Sequence, residues 1–114
     1  MDEISLLGET EVHEVKGDCL NKFYLFPDQL GFRKPLLHEL RGGDAAQNAR
    51  VLTDILANRD HSARRDLITI NAAAGLVIAG VTSRMESGIE LANEILDSGK
   101  ALQKLFEFQR FFAP

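Results

Sequence analysis

The 114-residue sequence contains one cysteine, Cys19, and no tryptophan, and just three of its residues are proline. A single cysteine excludes an internal disulfide, a thiolate metal cluster and a Cys-x-x-Cys redox motif, and it suits a reducing compartment. Positive charge is in deficit: 13 Lys+Arg face 17 Asp+Glu, for a formal net charge of −4. That sign excludes nucleic-acid binding through the overall field of the protein. Long apolar runs are missing too. The longest, residues 72–81 between Asn71 and Thr82, falls well short of the roughly 18 to 20 residues that cross a bilayer, so no membrane span is expected. The opening Met1-Asp2-Glu3 is acidic where a secretory signal carries Lys or Arg, and a cytoplasmic location follows as an expectation. What is present, 45% hydrophobic and 26% charged residues, is ordinary globular material sufficient for one domain and too little for two.

The order of elements is strands first, helices after. Residues 4–7 form a short apolar, strand-like run ended by Gly8. Residues 10–15 and 20–26 are rich in β-branched and aromatic types around Lys16-Gly17-Asp18-Cys19, a hairpin pattern. Val12 and Val15 fall on opposite faces of the first strand, which predicts a peripheral, partly exposed position. Pro27, Gly31 and Pro35 punctuate a connection over residues 27–43, with one helical turn expected at 36–40. Asp44 with Gln47 three residues on predicts a capped helix with Ala45, Ala49, Leu52 and Leu56 along one face. A second helix runs from near Ser62 to about Gly80. It is apolar on nearly every side over residues 67–79, which predicts burial on all faces. Ser83-Arg84-Met85-Glu86 reads as a capping box opening a third helix whose core face is Met85, Ile89, Ala92, Ile95 and Leu96. Asp97-Ser98-Gly99 breaks or kinks it before an aromatic end at Phe106, Phe108, Phe111 and Phe112. The expected fold class is α/β: residues 1–26 strands and hairpin, 27–43 loop, 44–112 three to four helices.

Chemistry has few places to sit. Asp2-Glu3 offers adjacent carboxylates, the hard oxygen donors that Mg2+ takes together with waters and substrate phosphates. Taken alone, such a pair also reads as solvated charge. Gly42-Gly43 before a helix start invites a phosphate-loop reading, but Asp44 as N-cap would occupy the donors and repel an anion. His13, His38 and His61 lie in different elements without metal-ligand spacing and read as surface or loop residues. Arg64-Arg65 stands near a helix start, where cations oppose the dipole, so a solvated or ion-paired face is expected. The Phe106, Phe108, Phe111 and Phe112 group reads as packing surface, or as a docking patch if exposed.

Several motifs in order carry a resemblance over essentially the whole chain: Asp2-Glu3-Ile4-Ser5-Leu6-Leu7-Gly8, Pro27-Asp28-Gln29-Leu30-Gly31, Leu40-Arg41-Gly42-Gly43-Asp44-Ala45, Arg64-Arg65-Asp66 followed by Asn71-Ala72-Ala73-Ala74, and Leu96-Asp97-Ser98-Gly99-Lys100. Together they resemble the carboxy-terminal part of the anthranilate phosphoribosyltransferases, within a phosphoribosyltransferase or nucleoside-phosphorylase-like α/β domain. The resemblance implies a Mg2+-dependent cytoplasmic enzyme of tryptophan biosynthesis, homodimeric when complete. Its partners would be anthranilate and phosphoribosyl pyrophosphate, with neither nucleic acid nor membrane. It further implies that Asp2 and Glu3 hold metal. The family's donor-cradling glycine loop, its second magnesium ligand, its anthranilate contacts and its helical domain all precede the Asp-Glu pair and have no counterpart here. The 114 residues alone are therefore expected to be inactive, and no catalytic residue is assigned among them. The alternative is a noncatalytic stand-alone or split-enzyme domain that pairs with a partner chain; a nucleoside-phosphorylase relative is a weaker third reading.

Overall fold

The computed structural model describes residues 3–112. Residues 4–7, which read as strand-like, pair with no strand, and the correction has a physical cause. Their backbone donors are taken by side chains: Ser5 N–H donates to Thr10 Oγ1 at 3.2 Å and Leu7 N–H to Ser5 Oγ at 3.0 Å. Leu6, 1% exposed, pins the segment to the core.

Strand β1, Thr10–Lys16, pairs antiparallel with β2, Cys19–Leu25, in a register that sets Val12 opposite Phe23 and Val15 opposite Leu20. Gly17 takes φ 59° at the first position of the two-residue connection, the backbone angle that tight hairpins reserve for glycine. The hairpin is as peripheral as its imperfect alternation predicts, since both members of the Val15 and Leu20 pair are exposed.

Two 3-10 turns, Pro27–Leu30 and Leu37–Leu40, lead to four helices: α1 Ala45–Leu56, α2 Ala63–Ile78, α3 Met85–Asp97 and α4 Lys100–Phe112. Asp44 and Gln47 form the expected reciprocal cap of α1: Gln47 N–H donates to Asp44 Oδ1 at 2.8 Å and Asp44 N–H to Gln47 Oε1 at 3.2 Å. The core face predicted for α1 does not hold. Leu52 is 41% exposed, Ala45 and Ala49 are exposed, and Ile55, near the C-terminal end of the helix, is its one buried residue. Gly99, at φ 74°, separates α3 from α4 as two distinct helices.

The centre of the structure is the α2–α3 pair. Gly88 of α3 sits so close to α2 that a Cβ there would lie 2.9 Å from the Ala73 carbonyl oxygen. Small residues at the crossing let the backbones approach, and Ile70, Ala73, Ala92 and Leu96 close the core around it. Helix α2 is not buried on all faces. Ala72, Gly75 and Ile78 are exposed, Ile78 to 88%, since among the described residues only one face of the helix receives neighbours. The Ser83–Glu86 capping box also fails to form: Arg84 occupies the N-cap with no side-chain cap, and Ser87 Oγ donates to the Arg84 carbonyl at 3.2 Å. Seating α3 on α2 outweighs a local cap typically worth about 1 kcal/mol.

Candidate magnesium-binding segment

The segment that opens the described chain is fixed from an unexpected direction. Asn71, in the middle of apolar α2, faces Ile4 across 67 residues of sequence. Its Oδ1 accepts from the Ile4 N–H at 2.9 Å, and its Nδ2 donates to the Ile4 carbonyl at 3.0 Å and to the Leu67 carbonyl at 2.9 Å. A side-chain amide thus supplies both hydrogen bonds that a neighbouring strand would have made, so the segment needs no sheet to satisfy its backbone.

Glu3 precedes this clamped peptide and is exposed; Asp2, the other expected ligand, lies outside the described residues. A carboxylate is the donor type that magnesium takes, so Glu3 fits the metal in kind. Among the described residues no group of three His, Cys, Asp or Glu could hold a metal ion. That is compatible with magnesium, which is usually held by one or two carboxylates with waters and substrate phosphates completing the shell.

The other candidates resolve into structural roles. At the glycine loop, Gly43 N–H donates to Asn48 Oδ1 at 2.8 Å, and the Asp44 and Gln47 amides are spent on the cap. The donors a phosphate would need are therefore occupied. His13 approaches Glu11 Oε1 at 2.6 Å on the hairpin, and His38 and His61 are exposed. Glu11 also accepts from Tyr24 at 2.8 Å and pairs with Lys22 at 3.0 Å. Hydrogen bonds from His13, Tyr24 and Lys22, in that order of weight, hold its carboxyl down at about 2. The Arg33 guanidinium and the Leu36 N–H hold Glu39 at about 2 in the same way. Burial pushes the Asp66 carboxyl up, against the nearby charges of Arg33 and Arg65.

Arg64 and Arg65 diverge. Arg64 donates to the Arg41 carbonyl at 3.0 Å. Arg65 is 7% exposed and donates to Asn58 Oδ1, to Asn93 Oδ1 at 3.2 Å and to Asp97 Oδ1 at 2.8 Å. The expectation of an ion-paired residue holds for Arg65, but the pair is turned inward and ties α2 to α3 and to the α1–α2 loop. The four phenylalanines of α4 are exposed, and three of them pack on one another, with ring centroids of Phe108 and Phe112 4.8 Å apart and those of Phe111 and Phe112 5.1 Å apart. Sequence reasoning missed the Asn71 clamp. Its one signal is a lone amide in the largely apolar stretch of α2 that follows Asp66.

The hairpin followed by four helices is an α/β arrangement, and the family profile described as glycosyl transferase family, a/b domain, matches residues 1–102. The chain belongs to that family. Within it the similarity is to the anthranilate phosphoribosyltransferases: that of Mesorhizobium japonicum is 47% identical over 104 residues and that of Acetivibrio thermocellus 41% identical over 111 residues. The structure superimposes on the anthranilate phosphoribosyltransferase of Thermus thermophilus with a TM-score of 0.83 at 32% identity, covering 92% of this chain and 31% of that one. Against the Saccharomyces cerevisiae enzyme in complex with PRPP and Mg the TM-score is 0.86 at 28% identity, covering 95% of this chain and 31% of that one. The matches cover 91% and 97% of this chain but 31% and 32% of the Mesorhizobium and Acetivibrio proteins. The chain thus spans about a third of the length of the relatives it matches.

Proposed function

We propose that this chain serves as part of an anthranilate phosphoribosyltransferase, which transfers the phosphoribosyl group of phosphoribosyl pyrophosphate to anthranilate with release of pyrophosphate. The observation that carries the reading is the joint agreement of sequence and fold with enzymes of that one name along nearly the whole of these 114 residues. A noncatalytic partner domain is not favoured, because each of these relatives carries the corresponding stretch as a third of a single, longer chain.

Asp2 and Glu3 are the residues we assign to magnesium, supported by their paired carboxylates and by the yeast relative that holds PRPP and Mg. When bound, the metal supplies Lewis-acid neutralisation of the charge that grows on the leaving pyrophosphate. The contribution of this chain is to carry Glu3 next to a segment seated by Leu6 and fixed by Asn71. No nucleophile from the protein is needed, and the glycine loop is not assigned to the pyrophosphate, its Gly43, Asp44 and Gln47 amides being bonded within the loop and helix start. The reading carries with it a cytoplasmic, homodimeric enzyme, as the family resemblance implies. No helix among the described residues is long and apolar enough to cross a membrane.

Catalysis of this type rests on positioning and electrostatics contributed by several loops. The 114 residues by themselves should leave anthranilate fluorescence unchanged when phosphoribosyl pyrophosphate and Mg2+ are added. The same segment replacing its counterpart in a complete relative should sustain turnover. Loss of emission with the segment alone, at the rate of a complete enzyme, would refute the first statement, and a folded but inactive hybrid the second.

A further inference from the structure

Asn71 does more than satisfy its own helix. Both of its amide protons and its carbonyl oxygen are engaged, and two of the three bonds go to the backbone of a single distant residue, Ile4: its N–H, in the Glu3–Ile4 peptide, and its carbonyl, in the next. Ile4 directly follows Glu3. On the other side, Ser5 is tied to Thr10 and Leu6 is buried, so the Asn71 clamp holds the backbone position directly after Glu3. The clamp is mounted on a rigid base: α2 is locked to α3 by the Gly88 approach to Ala73 and by the Arg65 network. A grip on both peptide groups that flank Ile4 fixes the orientation of this backbone as well as its position, which a single hydrogen bond would not do. We infer that Asn71 is the positioning residue of Glu3, setting where the carboxylate that directly precedes Ile4 stands to receive a divalent cation.

The inference rests on the reading of Asp2 and Glu3 as metal ligands, and its logic is preorganisation. Without the clamp the backbone that follows Glu3 loses its anchor, and its ordering has to be met at the moment of metal binding. Groups that orient metal ligands from outside the coordination shell typically change metal affinity by about 10- to 100-fold when removed. Since Asn71 acts through the backbone, the low end of that range, about tenfold, is expected.

The test uses the complete enzyme carrying this segment, with Mn2+ as a paramagnetic probe whose free concentration is read by electron paramagnetic resonance. Asn71→Ala should weaken Mn2+ binding about tenfold and raise by the same factor the Mg2+ concentration that gives half the maximal rate. The KM for anthranilate should hold. A purely structural asparagine would instead lower the melting temperature and the maximal rate without moving the metal midpoint. Glu3→Gln separates the two levels of the reasoning. If it leaves Mn2+ binding intact, the ligand assignment fails and the inference falls with it; if it weakens binding while Asn71→Ala does not, the inference alone is overturned. Should Asn71→Ala not fold, Asn71→Ser takes its place, because a serine hydroxyl can bond the Leu67 carbonyl within its own helix but is too short to reach Ile4. Weakened Mn2+ binding in that variant supports the clamp, and unchanged binding overturns it.

Discussion

Replacing Gly88 with alanine adds one methyl group at the tight contact between α2 and α3. The new Cβ would stand 2.9 Å from the Ala73 carbonyl oxygen, 3.1 Å from Ala73 Cα and 3.1 Å from Ala73 Cβ. Two of these atoms are backbone, so no rotamer change relieves the clash and the helices have to separate. Overpacking of this kind costs about 1 to 3 kcal/mol, and a rigid backbone neighbour places the change at the upper end. Against it stands the better helix propensity of alanine, about 1 kcal/mol. The net expectation is a loss of about 1 to 2 kcal/mol, which for a chain of this size lowers the melting temperature by about 4 to 8 °C. Gly75 supplies the internal control. It lies within α2, has no positive φ, and a Cβ there meets nothing within 4 Å. Gly75→Ala should therefore stabilise by up to about 1 kcal/mol, the propensity gain without the clash. Thermal and urea unfolding of the 114-residue chain followed by circular dichroism measures both. A Gly88→Ala variant as stable as the parent, or a Gly75→Ala variant that loses stability, would refute the assignment of the α2–α3 crossing as the tight contact.

Arg65→Ala removes three hydrogen bonds from a nearly buried guanidinium and leaves the amide oxygens of Asn58 and Asn93 without their donor. It should cost about 2 to 3 kcal/mol by urea denaturation, whereas Asp97→Asn, altering a half-exposed partner, should cost under about 1 kcal/mol; equal losses would mean that the pair and not the buried arginine carries the effect. The hairpin should respond to acid through Glu11. Its carboxyl titrates at about 2 in the folded hairpin against 4.5 without partners, so the folded state binds the proton less well. The stabilisation is complete above about 4.5 and is lost as pH falls toward 2. Amide protection across β1 and β2, measured by hydrogen exchange, should decline over that window and lose the dependence in Glu11→Gln; a pH-independent profile in the parent would sink the attribution.

Most of the local structure was legible because short-range chemistry decides it. Asp44 and Gln47 are three residues apart and cap each other in the structure as spacing predicts, Gly99 ends α3 where a left-handed residue was needed, and Gly17 turns the hairpin. The motifs spread from Asp2 to Lys100 also carried the family, since order and spacing survive in sequence without any knowledge of contacts. What sequence could not decide is which side of each helix finds a neighbour. Helix α2 reads as apolar all round, yet only the face bearing Ala63, Ile70 and Ala73 is covered among the described residues, and Ile78 stands in solvent. Ser83 and Glu86 have the spacing of a cap, yet packing of α3 begins the helix one residue later. Arg65 looked like a surface charge at a helix start and is the buried tie between two helices. Asn71 is the sharpest case: one amide in an apolar stretch carries no local clue to its partner, because the partner is 67 residues away and only the folded chain brings Ile4 within hydrogen-bonding distance. Covalent neighbours and fixed spacings determined the elements and the kinship of this protein; the long-range contacts that satisfy buried polar groups and seat the acidic segment were decided by tertiary structure, where the alternative for each such group is an unpaired donor or acceptor.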